Sequence, residues 1–178
     1  MKIFGSKKSF TLVEILIYVA VLSVVILAVS SFFIWTIYTN LKARAMREVL
    51  YNAERALTVM TQEIKEAKSI YTSTSVFNTH PGRLSLETTK YLPEGEETTF
   101  IDFYLCNGQL CFKKESQKDP IVLTSDQVKV DNLIFTQIIS GESSSVQINL
   151  KIDYESSSLK PEYQSSITLT SAASLRAF

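Results

Sequence analysis

Apolar and polar positions divide the chain near residue 38. From Phe10 to Ile37 it reads FTLVEILIYVAVLSVVILAVSSFFIWTI, apolar on every side, with Glu14 as its only charged residue. No Gly or Pro interrupts the stretch, so nothing in it breaks a helix. At about 1.5 Å per residue this helix outreaches a bilayer core of roughly 30 Å and spans it with some tilt. From Thr39 to about Tyr71 the pattern stays helical but becomes one-sided. Met46, Leu50, Ala53, Leu57, Met60, Ile64 and Ala67 recur at steps of three and four. Arg47, Glu48, Glu54, Arg55, Glu63 and Lys65 fall on the opposite side. A strand-rich region follows, so the stripe is expected to pack on a sheet rather than in a coiled coil.

From Ser69 onward the period changes to two. Arg83 to Glu87 alternates after the turn His80-Pro81-Gly82, and Tyr91 to Glu97 reads as a loop. Thr98 to Leu105 and Gln109 to Lys113 are strands around Asn107-Gly108, the strongest hairpin signal in the chain. A two-residue turn there sets Leu105 opposite Leu110 and Phe103 opposite Phe112. Ile121 to Thr124, Leu133 to Ile139, Ser145 to Tyr154 and Tyr163 to Thr170 complete the strands. Ser140 to Ser143 is a turn and Glu155 to Glu162 a Ser-rich loop. The tail SAASLRAF is expected to fray. The fold class is α+β: one long N-terminal helix on a small antiparallel sheet. The boundaries are a leader at 1–9, a transmembrane helix at 10–38, its amphipathic continuation at 39–71 and a sheet domain at 72–178.

Charge adds direction. The chain has 18 basic and 18 acidic residues. Without Lys2, Lys7 and Lys8 of the leader, 15 basic residues face 18 acidic ones, a net charge of −3. That balance argues against a basic nucleic-acid face. Lys42, Arg44 and Arg47 flank the other end of the apolar run, but the first helix usually dominates, which favours a cytoplasmic N-terminus. The run is too long for a secretory signal. An uncleaved signal anchor fits this topology equally well.

Little in the chain suggests catalysis. His80 is the only histidine and reads as a surface residue of a turn. No zinc-protease, nucleophile-elbow or phosphate-loop motif is present, so no catalytic residue, metal ligand or cofactor is expected. Asp126, Asp131, Asp153 and Glu155 match no calcium-loop spacing and read as solvated charges. Cys106 and Cys111 flank the Asn107-Gly108 turn. In a strict two-residue hairpin they are diagonal, roughly 7–8 Å apart, which strains a bridge. A four-residue loop, Asn107 to Leu110, sets them face to face. A disulfide and a pair of reduced thiols stand as equal alternatives. Glu14 is the residue that asks for a role. A charge within a membrane span is unfavourable by roughly 2.5–3.5 kcal/mol at the centre and by less near an end.

The order Lys7-Lys8-Ser9-Phe10-Thr11-Leu12-Val13-Glu14, running into a long apolar helix, resembles the leader of type IV prepilins and type II secretion pseudopilins. The resemblance implies that a prepilin peptidase cuts between Ser9 and Phe10 and that Phe10 is then N-methylated. Glu14 becomes the fifth mature residue, which the family pairs with the terminal amine of a neighbouring subunit during assembly. The family usually has Gly where this chain has Ser9. Gly5 does not substitute, because a cut there would leave Glu14 ninth. The helix-breaking Pro or Gly of many major pilins is also missing. Further on, PIVLTSDQVKVDNLIF and ITLTSAASLR resemble J-type minor pseudopilins and related minor pilins. The resemblance thus implies a structural subunit, not an enzyme. Its partners would be the prepilin peptidase, sibling pilin or pseudopilin subunits, the lipid bilayer, and an inner-membrane assembly platform with a cytoplasmic ATPase. It would be a single-pass membrane protein with an extracytoplasmic C-terminal domain, filament-associated after assembly. The competing class is a permanently anchored surface adhesin or DNA-uptake protein, which needs neither the cut nor Glu14.

Overall fold

The computed structural model describes residues 10–140, 143–156 and 164–176. One helix, α1 (Leu12–Glu66), runs for 55 residues. The chain divides into two compact units, one up to Asn40 and one from Leu41 onward. In the first unit the large apolar side chains from Phe10 to Tyr38 are exposed. The helix is long and apolar enough to cross a membrane. Its hydroxyls are absorbed locally: Ser31 donates to the Leu27 carbonyl at 2.9 Å, Thr36 to Phe32 at 2.9 Å and Thr39 to Trp35 at 3.0 Å. Polar side chains thereby ride in an apolar helix without demanding outside partners.

In the second unit the rest of α1 packs on strands that form two antiparallel sheets, not one. The first is a five-stranded meander of β1 (Ser69–Ile70), β2 (Leu84–Thr88), β3 (Thr99–Cys106), β4 (Gln109–Lys114) and β5 (Ile121–Val122). The second holds β6 (Val128–Ser140), β7 (Ser143–Tyr154) and β8 (Ser166–Ser174). The β3–β4 register sets Leu105 opposite Leu110 and Phe103 opposite Phe112, the latter pair stacked at 4.9 Å. Asn107 and Gly108 take φ of 51° and 78°, the two positive values a type I′ turn needs. Leu84, Leu86, Ile101, Phe103, Leu133, Phe135, Ile148, Leu150 and Ile152 join Met60 and Ile64 of α1 in one core.

Several boundaries differ from the sequence pattern, and β6 begins at Val128, five residues ahead of Leu133. The helix stops at Glu66, not near Tyr71, because its continuation is captured by β2: the Lys68 N–H donates to the Glu87 carbonyl at 2.8 Å and the Tyr71 N–H to Ser85 at 2.9 Å. The buried face of α1 begins at Ala45, Val49 and Asn52, one position ahead of Met46 and Leu50, and agrees with the stripe from Ala53 on. A strict seven-residue rhythm drifts by about 20° per heptad on a straight helix, so a stripe matched at its end slips at its start. Glu63, assigned to the solvent side, is buried. The tail does not fray from Ser171, since Ser171 to Ser174 continue β8 beside β7 and Ala173 is buried. The Glu155–Glu162 loop lies largely outside the described residues, as do Gly141 and Glu142.

A short segment before β2 clasps the outer edge of β6. The Asn78 N–H donates to the Phe135 carbonyl at 2.8 Å and the Gly82 N–H to Leu133 at 2.9 Å. In return the Leu133 N–H donates to His80 Nδ1 at 3.0 Å. His80 is exposed, as expected, but its ring accepts a backbone hydrogen bond that ties the two sheets together. Gly82 is required by this approach: a Cβ there would stand 2.9 Å from the Leu133 carbonyl oxygen and 3.0 Å from the Phe135 ring.

Candidate functional site

The start of α1 carries the residues singled out above. Thr11 is the N-cap: its carbonyl accepts from the Ile15 N–H at 3.2 Å, and its Oγ1 accepts from the Glu14 N–H at 3.3 Å. Thr is a favourable cap because its hydroxyl satisfies an otherwise orphaned N–H of the first turn. Glu14 therefore sits in the first turn, where the positive end of the helix dipole favours an anion. It is half-buried, whereas its apolar neighbours are exposed. Its Oε1 accepts a hydrogen bond from the Tyr18 hydroxyl at 3.0 Å. The Tyr18 ring also meets Phe10 edge to face, with centroids 6.3 Å apart. Glu14 and Tyr18, four residues apart, share one helix face, and Phe10 packs on Tyr18 from just before the helix. Tyr18 was missed by the sequence reading. The signal was there, a hydroxyl one turn from the only charge in an apolar run. Ser9 lies outside the described residues.

Cys106 and Cys111 come together in the two-residue hairpin itself. Cys106 is opposite Gln109 and Cys111 opposite Tyr104, so the cysteines are diagonal. Their Cα atoms are nevertheless 5.9 Å apart and their sulfurs are in bonding contact. The expected 7–8 Å was too long because the right-handed twist of a hairpin shortens one of its two diagonals. The observed separation lies within the range a disulfide accepts.

Several other carboxylates are engaged with nearby side chains. Asp131 accepts from Lys151 Nζ at 2.6 Å, and Asp153 lies 4.0 Å from the same ammonium. That hydrogen bond holds the Asp131 carboxyl below its ordinary pKa and the Lys151 ammonium above its own. Glu63 accepts from the Tyr91 hydroxyl at 3.0 Å, while Lys90 pairs with Glu66 and lies 3.9 Å from Glu63. Burial first, then the Glu63 carboxylate, push the Tyr91 phenol up. Among the described residues no group of three or more His, Cys, Asp or Glu is placed to hold a metal ion.

Comparison with known families bears on the start of α1. Residues 5–30 match the prokaryotic N-terminal methylation motif. That motif supports kinship with the type IV prepilins and pseudopilins. The matched residues include Ser9, Phe10, Glu14 and Tyr18, and the rest of the chain lies outside the match. No curated protein and no solved structure matches the chain. The prepilin-type segment sits on a pilin-like α+β layout, one long apolar helix followed by antiparallel sheets. Such a segment fits membrane anchoring, cleavage by a prepilin peptidase and assembly with other pilin subunits.

Proposed function

We propose that the chain is a minor pilin or pseudopilin, a structural subunit of a type IV pilus-like or type II secretion filament. One observation carries the reading: the methylation motif runs into an exposed apolar stretch of helix whose single carboxylate, Glu14, is ordered in the first turn. The peptidase removes residues 1–9 on the cytoplasmic side, and the amine of Phe10 is methylated. The subunit waits in the bilayer with its sheets outside. An assembly platform driven by a cytoplasmic ATPase draws it upward, and neighbouring apolar helices replace lipid as its solvent.

An amine freed at Phe10 is cationic at neutral pH, as α-amino groups ordinarily are, and methylation keeps the charge. An unpaired carboxylate is strongly disfavoured in a dry helix bundle, so pairing Glu14 with the amine of a neighbour relieves that penalty and fixes axial register. Cys106 and Cys111 form a disulfide, favoured by their separation and by an oxidising compartment. The test is processing followed by assembly. Intact-mass analysis of membrane-extracted protein is expected to show a methylated chain beginning at Phe10. Glu14→Leu is expected to insert and be cleaved normally but to drop out of sheared filaments. A chain that keeps Met1 beside an active peptidase refutes the reading.

A further inference from the structure

We propose that Tyr18 is a positioning residue for Glu14: it draws the carboxylate away from its own helix N-terminus and leaves one oxygen for the neighbouring subunit. The inference rests on the assembly role of Glu14 proposed above.

A Glu three residues after a Thr N-cap has a default partner. Its side chain turns back to the backbone N–H of the cap and completes a reciprocal capping box. Thr11 and Glu14 have this spacing, and half the box is formed, with the Glu14 N–H donating to Thr11 Oγ1 at 3.3 Å. The other half is replaced. Glu14 Oε1 accepts from the Tyr18 hydroxyl at 3.0 Å, one turn further into the helix. Helical side chains lean toward the N-terminus, so Tyr18 reaches back over Glu14. Its ring is seated by the edge-to-face contact with Phe10, the residue whose amine the cut would free.

The consequence is geometric. A carboxylate folded onto its own first turn would spend its charge on its own helix. Held by Tyr18, Glu14 stays in the plane of the helix surface, and among the described residues no group bonds to its Oε2. A hydrogen bond to an ionised group is among the stronger kinds, and stronger still where water is scarce. One phenol thus keeps the anion ordered in an apolar setting without neutralising it.

The test uses the full-length chain in cells that assemble filaments, with Tyr18→Phe, Glu14→Leu and the double variant. Tyr18→Phe keeps the ring against Phe10 and removes only the hydroxyl. Leader removal and membrane level are expected to be unchanged. Incorporation into sheared filaments should fall roughly tenfold to a hundredfold, the size of one hydrogen bond to a charged group. In the Glu14→Leu background Tyr18→Phe should cause no further loss. Wild-type incorporation of Tyr18→Phe, or an equal loss in both backgrounds, overturns the proposal. A second measurement reads the contact itself. In full-length chain with 13C-labelled glutamate in bilayers, the carboxyl signal missing from Glu14→Leu belongs to Glu14, and Tyr18→Phe should shift it. An unmoved signal overturns the contact. If Glu14→Leu incorporates like wild type while that signal does shift, the assembly role fails and the positioning role falls with it, although the contact is real.

Discussion

Single residues divide into those whose role is written in their type and those whose role is made by a distant neighbour. Asn107-Gly108 belongs to the first kind: two residues tolerant of positive φ between alternating runs specify the turn and its register. Glu63 belongs to the second. Its sequence position reads as solvent-facing, and only the arrival of Tyr91, 28 positions later, covers it. No local pattern encodes that meeting. Tyr91→Phe should therefore leave a buried carboxylate short of a donor and lower the unfolding free energy by about 1–3 kcal/mol, measured by denaturant titration. Gly82 is similar, since its need for a bare Cα comes from Leu133 and Phe135 of another sheet. Gly82→Ala should destabilise by about 1–3 kcal/mol in the same assay, as overpacked sites do. An unchanged midpoint would show that the clasp yields freely.

Among the elements, α1 was the most legible, because an uninterrupted apolar run and a one-sided stripe leave few alternatives. Its end was not. The strand that follows it is two residues long and exists through pairing with β2, a long-range contact that no window of sequence contains. Glu87 fastens this junction: Ser69 Oγ donates to its Oε2 at 2.7 Å, and Lys68 Nζ lies 3.3 Å from its Oε1. The Ser69 hydrogen bond, aided by Lys68 against a desolvation penalty, lowers the Glu87 pKa from its ordinary 4.5. The unfolded chain then takes up the proton first as pH falls. The stabilisation is present above about pH 4.5 and is lost as pH drops through the folded value. Ser69→Ala should lower stability above about pH 4.5, leave it little changed below the folded value, and so flatten the acid limb between them. Equal acid limbs for the two chains would contradict it. Deeper in the element, Ile64→Ala should lower stability by about 2–5 kcal/mol, because Ile64 is wholly buried in the core.

At the scale of the whole molecule, the α+β class and the antiparallel character of the strands were readable, but the division into two sheets was not. Alternation tells which face of a strand is buried, and it is silent on which strands share an edge. The Cys106–Cys111 pair raises a question at the same scale, because oxidation reports which side of a membrane the domain occupies. Free-thiol labelling of the denatured, unreduced chain should find no reactive cysteine. Adding reductant should lower stability by about 2 kcal/mol, the low end expected for so short a loop. Full labelling without reductant would instead place the pair among reduced thiols. The clasp at Asn78 to Gly82 carries the last consequence. By topology β6 is the outer strand of its sheet, and outer strands ordinarily open first to solvent. Here the Leu133 amide is held by an imidazole, and the Leu133 and Phe135 carbonyls by backbone amides of the segment that leads into β2. Opening β6 therefore means releasing that segment as well. In hydrogen exchange, Leu133 and Gly82 should exchange with the same free energy as the interior amides of β7, and both should become fast together when the His80 ring is removed.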